Sequence, residues 1–232
     1  MGKIGIIGAM EEEVMALKDK LKVSDIRSIA SLEFYAGKLS NREVVLVRGG
    51  IGKVNAAVCT QILIDCFHVD AIINTGVAGA LSDELEIGDI VISRDALQHD
   101  FDATGFGYEK GTIPRMAESC FKADKGLIHI AEKASQVLSV KTNIFTKRIV
   151  SGDQFISDKE KKKVLIGEFD GFCTEMEGAA VAQACYLNKI PFVIIRSISD
   201  KADDSAEMNY SQFTQIAAAN SCKLIEKMVE IM

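Results

Sequence analysis

The stretch IGIIGAMEEEV (residues 4–14) decides how the chain begins to fold. Its apolar run Ile4–Ile7 predicts a buried strand that ends at Gly8, with a helix starting shortly after. Turns of this kind often bind phosphate, because backbone N–H groups at a helix start cradle the anion. Here three consecutive carboxylates, Glu11–Glu13, follow the turn and would repel phosphate. The turn therefore predicts a site that uses acid for another purpose.

The phase of this first helix limits which carboxylate can reach a cleft. Three apolar residues at positions i, i+3 and i+7 define its core face: Val14, Leu17 and Leu21. At about 100° per residue, Glu12 points towards solvent, whereas Glu11 and Glu13 flank the buried stripe. One of those two can enter a cleft. The alternative is that all three only complement the positive helix N-terminus, which contributes about 0.3–1 kcal/mol each.

Apolar runs without polar alternation recur along the chain and are typical of strands covered on both faces by helices. The predicted strands are Ile4–Ile7, Val44–Val47, Ala71–Asn74, Ile90–Ser93, Ile144–Val150 and Phe192–Ser199. The predicted helices are Glu11–Leu21, Lys53–Phe67, Leu127–Leu138, Lys159–Ile166, Gly178–Leu187 and Tyr210–Ile231. Alternation in Ile26–Leu39 indicates an antiparallel excursion. Without a Pro/Ser-rich linker, the pattern predicts one α/β domain over residues 1–232.

Two of these helices have unusual compositions. Lys53–Phe67 is apolar on most sides, which predicts that it is deeply packed. The segment GAAVAQA, residues 178–184, has small residues on every face, which permits close approach to a sheet or another helix.

Composition excludes several classes of protein. Lys+Arg 27 against Asp+Glu 33 gives a net charge of -6, which disfavours nucleic-acid binding. The 6 cysteines form no C-x-x-C pair, so we expect reduced, buried thiols rather than disulfides or zinc. No apolar stretch reaches the roughly 18 residues of a membrane span. We expect a cytoplasmic protein without a metal or cofactor and without membrane or nucleic-acid partners.

Reactive side chains follow several predicted strands, where α/β proteins bind ligands. The strand ends read GAMEEE, NTGVAGA, VSGDQFIS and IIRSISDKADD. Asp200 follows a buried strand and could be either an N-cap or a functional acid. Arg196 lies inside the same apolar strand, where it must find a carboxylate or a ligand. In FCTEMEGAAV, Glu175 and Glu177 share one face if the chain is extended, and such buried acids need partners such as sugar hydroxyls.

The motifs IGIIGAMEEEV, GIGKVNAA, NTGVAGA, FGYEKG, VSGDQFI, EMEGAAVA and RSISD, in this order, closely resemble those of bacterial 5′-methylthioadenosine/S-adenosylhomocysteine nucleosidases. The resemblance runs from Lys3 to past Tyr210. It implies a single α/β domain of the nucleoside phosphorylase type, with a twisted mixed β-sheet flanked by helices, working as a homodimer. It further implies hydrolysis of the N-glycosidic bond of adenine nucleosides with a 5′-thioether, and of 5′-deoxyadenosine, without a cofactor or metal.

The resemblance also implies roles for individual residues. Asp200 would deliver a proton to adenine N7, and Glu13 would orient and deprotonate the attacking water. This agrees with the chemistry, because cleavage through an oxocarbenium-like state needs one group to assist the leaving group and another to supply water. The remaining implied contacts are Glu177 and Met176 at the ribose, Arg196 and Ser199 in support of water and acid, Phe155 and the Ile156 backbone at adenine, Gly79 at the substrate, Met10, Ile51 and Tyr210 in the alkylthio pocket, and Phe106 and Pro114 contributed to that pocket by the partner subunit.

Two other functions fit the same pattern less well. A phosphorylase needs cationic and hydroxyl donors around its oxyanion, but Asn74 occupies the position where related phosphorylases commonly have arginine. Val77 occupies the position where serine is usual, in many nucleosidases as well, and Phe101 and Ala103 also differ from commoner residues. A non-catalytic nucleoside-binding module could lose Glu13 or Asp200 without cost, yet both are present. The sequence therefore favours a hydrolase.

Overall fold

The computed structural model describes residues 2–138 and 142–232. Within these ranges the chain forms ten strands and six α-helices. The strands are β1 (Ile4–Gly8), β2 (Lys22–Ile29), β3 (Leu32–Leu39), β4 (Arg42–Arg48), β5 (Ala71–Ala80), β6 (Ile90–Gln98), β7 (Cys120–Lys122), β8 (Ile144–Ser151), β9 (Cys173–Glu175) and β10 (Phe192–Asp200). The helices are α1 (Glu11–Lys18), α2 (Lys53–Phe67), α3 (Lys125–Ala134), α4 (Lys159–Phe169), α5 (Gly178–Asn188) and α6 (Ala206–Ile231).

All predicted strands and helices are present, and the differences lie at their ends. β5 continues past Asn74 to Ala80, because the glycine and small residues of NTGVAGA still pair with β10 as far as Gly79, and Gly79 and Ala80 pair with β9. α1 ends at Lys18, before the predicted Leu21, although Leu21 remains buried. The predicted antiparallel excursion is the hairpin of β2 and β3. The three-residue strands β7 and β9 were not predicted, because they are too short to show a period.

The strands form one mixed sheet that closes on itself. β10 pairs in parallel with β5 and antiparallel with β6. β6 continues in parallel to β8 and β9, and β9 returns antiparallel to β5. Five strands therefore form a ring, and β1, β4, β3 and β2 extend the sheet from β5. The predicted α/β class with a mixed sheet is confirmed, and the ring closure is an additional feature.

The core lies around β5 and β10, which are buried along their whole length. The small residues of α5 pack closely, as predicted, because Gly178–Ala182 are all buried. The prediction of a deeply packed α2 is wrong on one face, where Val54 is 74% exposed and Val58 is 43% exposed. Cys66 is also exposed, in contrast to the expectation of buried cysteines. None of the helices in the described ranges has the length and apolarity to cross a membrane.

Candidate active site

One cavity of about 210 Å³ lies where the carboxyl ends of β1, β5, β9 and β10 meet the start of α6. Its walls combine apolar side chains with four carboxylates and, among the described residues, no lysine, arginine or histidine. The lining residues are Ala9, Met10, Glu13, Ile51, Val77, Ala78, Gly79, Gln154, Phe155, Ile156, Thr174, Glu175, Met176, Glu177, Ser199, Asp200 and Tyr210. Such a pocket favours a neutral or cationic ligand over an anion.

Glu13 is the carboxylate of α1 that enters the cavity, whereas Glu12 is exposed. Its Oε2 accepts hydrogen bonds from the backbone N–H groups of Ala9 at 2.7 Å and Met10 at 3.0 Å. Its Oε1 accepts one from Val77 N–H at 3.0 Å. Burial raises the pKa of Glu13, although the nearby positive charge of Arg196 and the backbone hydrogen bonds oppose this effect. The fixed carboxylate therefore remains a good proton acceptor.

Gly76 makes room for this arrangement. A Cβ atom at this position would lie 2.5 Å from Glu13 Oε1 and 3.2 Å from Arg196 Nη1. Any side chain on residue 76 would therefore push the carboxylate and the guanidinium away.

Asp200 ends β10 and is 2% exposed. Its Oδ1 accepts a hydrogen bond from Ala202 N–H at 2.9 Å, and its Oδ2 accepts one from the Ser199 hydroxyl at 2.9 Å. It is not the N-cap of α6, which is Ser205. Burial raises the pKa of Asp200, because desolvation disfavours the charged form more than these hydrogen bonds favour it. The site thus contains an acid that holds its proton to a higher pH than usual.

Arg196 finds a carboxylate, as its place in a buried strand predicts. Its guanidinium pairs with Glu175 and donates from Nη2 to Asn74 Oδ1 at 2.7 Å. Burial alone would raise the pKa of Glu175, but the charge of Arg196 and hydrogen bonds from Ser151 and Gly178 N–H bring it below its usual value. Arg196 does not line the cavity and lies behind its wall.

Glu177 follows Glu175 by two residues and lies at the N-terminus of α5. Its Oε1 accepts a hydrogen bond from Gly52 N–H at 2.8 Å, and its Oε2 lies 3.9 Å from Arg196 Nη2. Burial and the neighbouring charge of Glu175 raise the pKa of Glu177 to about 8. This carboxyl faces the cavity with spare hydrogen-bonding capacity.

The loop after β8 brings Phe155 and Ile156 to the cavity. The Phe155 ring meets the Tyr210 ring edge-on, with centroids 5.6 Å apart. The Tyr210 hydroxyl in turn donates to Met10 Sδ at 3.0 Å. These contacts build an apolar part of the cavity wall.

A polar clamp that the sequence did not reveal fixes the start of this loop. Lys53 Nζ forms an ion pair with Asp100 Oδ1 at 2.6 Å. Asp100 Oδ2 accepts from Asp153 N–H at 2.9 Å, and Asp153 Oδ1 accepts from Lys53 N–H at 2.8 Å. The clamp joins the Phe155 loop to the start of α2.

Most of the residues singled out in the sequence meet at this cavity. Eleven line it, namely Met10, Glu13, Ile51, Gly79, Phe155, Ile156, Met176, Glu177, Ser199, Asp200 and Tyr210. Phe106 and Pro114, which were predicted to act in a partner subunit, do not line it, and Phe106 is 85% exposed. Four lining residues, Ala9, Ala78, Gln154 and Thr174, were not singled out in the sequence, and two more, Val77 and Glu175, were noted there without an assigned contact. Glu175 carried the clearer signal of the two, as the first acid of EME.

The fold and the site define an α/β protein with a pocket of small-molecule size at strand ends, lined by carboxylates and, among the described residues, by no cationic side chain. In agreement, the family model described as "Phosphorylase superfamily" matches residues 3–230.

The relatives are more specific. The chain is 47% identical to the 5′-methylthioadenosine/S-adenosylhomocysteine nucleosidase of Staphylococcus aureus (strain JH9), over 97% of this chain and 98% of that protein. It is 38% identical, with a TM-score of 0.96 and full coverage of both chains, to the crystal structure of the nucleosidase of the same name from Neisseria meningitidis in complex with methylthio-immucillin-A. The futalosine hydrolase of Helicobacter pylori strain 26695 is also similar, with 33% identity and a TM-score of 0.94 over 100% of this chain and 98% of that one. The chain belongs to the 5′-methylthioadenosine/S-adenosylhomocysteine nucleosidase family of the phosphorylase superfamily.

Proposed function

We propose that this enzyme hydrolyses the N-glycosidic bond of 5′-methylthioadenosine and S-adenosylhomocysteine, releasing adenine and the 5′-substituted ribose. We include 5′-deoxyadenosine as a further substrate. The observation that carries the proposal is the cavity with four carboxylates and, within the described ranges, no cationic side chain. A phosphorylase would have to hold phosphate there against that negative charge, so water is the better nucleophile.

Asp200 is the proposed general acid. Burial raises the pKa of its carboxyl, so Asp200 keeps a proton for adenine N7 to a higher pH than an exposed aspartate would. Protonation at N7 makes adenine a better leaving group as positive charge develops on the sugar. The Ser199 hydroxyl orients the acid through its hydrogen bond to Oδ2.

Glu13 is the proposed base that positions and deprotonates water. Three backbone N–H groups fix its carboxylate: two donate to Oε2, and one donates to Oε1, which retains a free lone-pair direction for a water molecule. Val77 contributes its backbone N–H to Glu13 but has no side-chain hydroxyl for the water. Glu13 therefore carries the positioning of water, with the charge of Arg196 behind it.

The other lining residues receive the rest of the nucleoside. Glu177 accepts or donates hydrogen bonds with the ribose hydroxyls, above Met176. Phe155 stacks on adenine and the Ile156 backbone reads its edge. Met10, Ile51 and Tyr210 contact the apolar 5′-thioether, which agrees with their presence among the apolar residues that line the cavity.

The proposed enzyme is a homodimer, in which Phe106 and Pro114 of one subunit complete the alkylthio pocket of the other. Supporting this, Phe106 is 85% exposed and Val54 is 74% exposed, although both are large and apolar. Ile51, which lines the pocket, is itself 53% exposed and would be covered in the same way.

Product analysis with 5′-methylthioadenosine, with and without phosphate, tests the proposed reaction. We expect adenine and unphosphorylated methylthioribose in both mixtures. Adenine that appears only with phosphate, together with a sugar 1-phosphate, would overturn hydrolysis in favour of phosphorolysis. If no adenine appears in either mixture, the proposed enzymatic activity is wrong and a non-catalytic nucleoside-binding module is favoured. Parallel assays with S-adenosylhomocysteine, 5′-deoxyadenosine and futalosine rank the substrates.

A further inference from the structure

Among the described residues, two buried side-chain polar atoms have no hydrogen-bond partner: His99 Nε2 and Thr174 Oγ1. An unpaired buried polar group is destabilising, so it calls for an explanation. The His99 ring packs against Gly152, where a Cβ atom would lie 2.5 Å from Nε2, and it does not line the cavity. Thr174 is 5% exposed and does line the cavity.

The sheet register fixes where Thr174 lies relative to the proposed acid. Thr174 is paired with Val150 of β8 on one side and with Gly79 of β5 on the other. A Cβ atom on Gly79 would lie only 2.7 Å from Asp200 Oδ1. Thr174 is therefore paired with Gly79, which in turn lies next to Asp200. This is the end of the cavity where the leaving group would be protonated.

The nearest polar groups of the cavity are already engaged within the protein. Asp200 is held by Ala202 N–H and Ser199, and Glu175 is held by Arg196. The Thr174 hydroxyl, in contrast, has both its donor and its acceptor capacity unused. Rotation about χ1 exchanges its methyl and hydroxyl groups, so a ligand can recruit the hydroxyl without backbone movement.

We infer that Thr174 is a base-recognition residue, whose hydroxyl hydrogen-bonds to the polar edge of the purine next to Asp200. This rests on the proposed function, since it requires a purine nucleoside in the cavity. A purine edge offers ring nitrogens that accept and an exocyclic amino group that donates, and a hydroxyl complements either. Binding of the base thus satisfies a group that folding leaves unpaired.

The Thr174→Val variant tests this inference, because it keeps the shape and removes the hydroxyl. We expect the dissociation constant of free adenine, measured by calorimetry, to rise roughly 2- to 10-fold, the effect of one net hydrogen bond. The KM for 5′-methylthioadenosine should rise by a similar factor. Because no protein partner is lost, the melting temperature of the free enzyme should be unchanged or higher. Thr174→Ser should bind adenine like the wild type.

Thr75→Val is a matched control. The Thr75 hydroxyl is buried, hydrogen-bonds to the Ser221 hydroxyl at 2.6 Å and does not line the cavity. This variant should lose thermal stability and keep its affinity for adenine, which is the opposite pattern.

Unchanged adenine binding in Thr174→Val would overturn the inference, and so would a fall in melting temperature that matches Thr75→Val. If KM for the nucleoside rises while adenine binding does not, the hydroxyl contacts the sugar and the assignment to the base is wrong. Failure of the wild type to bind adenine or to cleave 5′-methylthioadenosine would overturn the proposed function itself.

Discussion

Glu175 and Glu177 are two residues apart, both are buried, and their surroundings differ in one respect. Glu175 borders the cavity, but its carboxylate turns inwards to Arg196, and the pKa of its carboxyl is lowered. Glu177 faces the cavity, where burial and the charge of Glu175 raise its pKa to about 8. The inner side of the wall therefore contains a close ion pair that holds the fold together, whereas Glu177 on the cavity side has only a longer contact of 3.9 Å with Arg196 Nη2 and can interact with a ligand.

The largest expected effect concerns a cavity acid. Asp200→Asn removes the proton donor, so kcat for 5′-methylthioadenosine should fall by about 10²- to 10⁴-fold. Substrate binding and thermal stability should be retained, because asparagine fills the same space. Steady-state kinetics and calorimetric binding of the substrate check both expectations. Full activity of this variant would remove Asp200 from the role of general acid.

For Glu175, on the inner side of the cavity wall, the expected loss is in stability. Glu175→Gln leaves the guanidinium of Arg196 buried without its anionic partner, which should lower the free energy of unfolding by about 3–5 kcal/mol. Urea unfolding followed by circular dichroism measures it. A loss no larger than that of Glu177→Gln would show that the two sides of the wall do not differ as described.

Glu177→Gln should instead change how stability depends on pH. The folded-state pKa of Glu177 is raised from 4.5 to about 8, so its contribution to stability is complete below 4.5 and is lost as the pH rises towards 8. Glutamine does not titrate. The variant and the wild type should be similar near pH 4.5, and the variant should become the more stable of the two as the pH rises to about 8. If the melting temperatures of the two proteins change with pH in the same way, this prediction is wrong.

The smallest effect is expected at Glu12, which is exposed on the same helix as buried Glu13. Glu12→Gln should change activity less than twofold and unfolding free energy by less than about 0.5 kcal/mol. Glu13→Gln is the matched comparison, since it removes the base and sets an amide N–H₂ against backbone donors. It should lose most activity and about 1–3 kcal/mol of stability. Similar losses in both variants would contradict the helix phase.

Local patterns in the sequence predicted the elements and much of the cavity. Helix phase limited the α1 candidates to Glu11 and Glu13, and the buried charge of Arg196 required a carboxylate or a ligand. The resemblance then distinguished Glu13 from Glu11. These inferences depend on neighbours within a few residues, or on a rule that holds at any buried position.

Long-range pairing explains what the sequence did not reveal. The ring closure depends on β10 meeting both β5 and β6, which no local pattern encodes. The clamp of Lys53, Asp100 and Asp153 joins three distant segments, and Thr174 lies in a strand of three residues without a period. The apolar face of α2 looked like core because a period shows which residues share a face but does not show what covers that face.

The ring has a consequence for the newly made chain. Its closing strand, β10, is the last of the ten strands in the described sequence and also carries Arg196 and Asp200. Until the ribosome has released residue 200, β5 and β6 lack their shared neighbour, and Glu175 lacks its cation. A nascent chain stopped before that point therefore has open sheet edges and an unpaired buried acid, so it would be a target for chaperones and would have no acid to cleave a nucleoside.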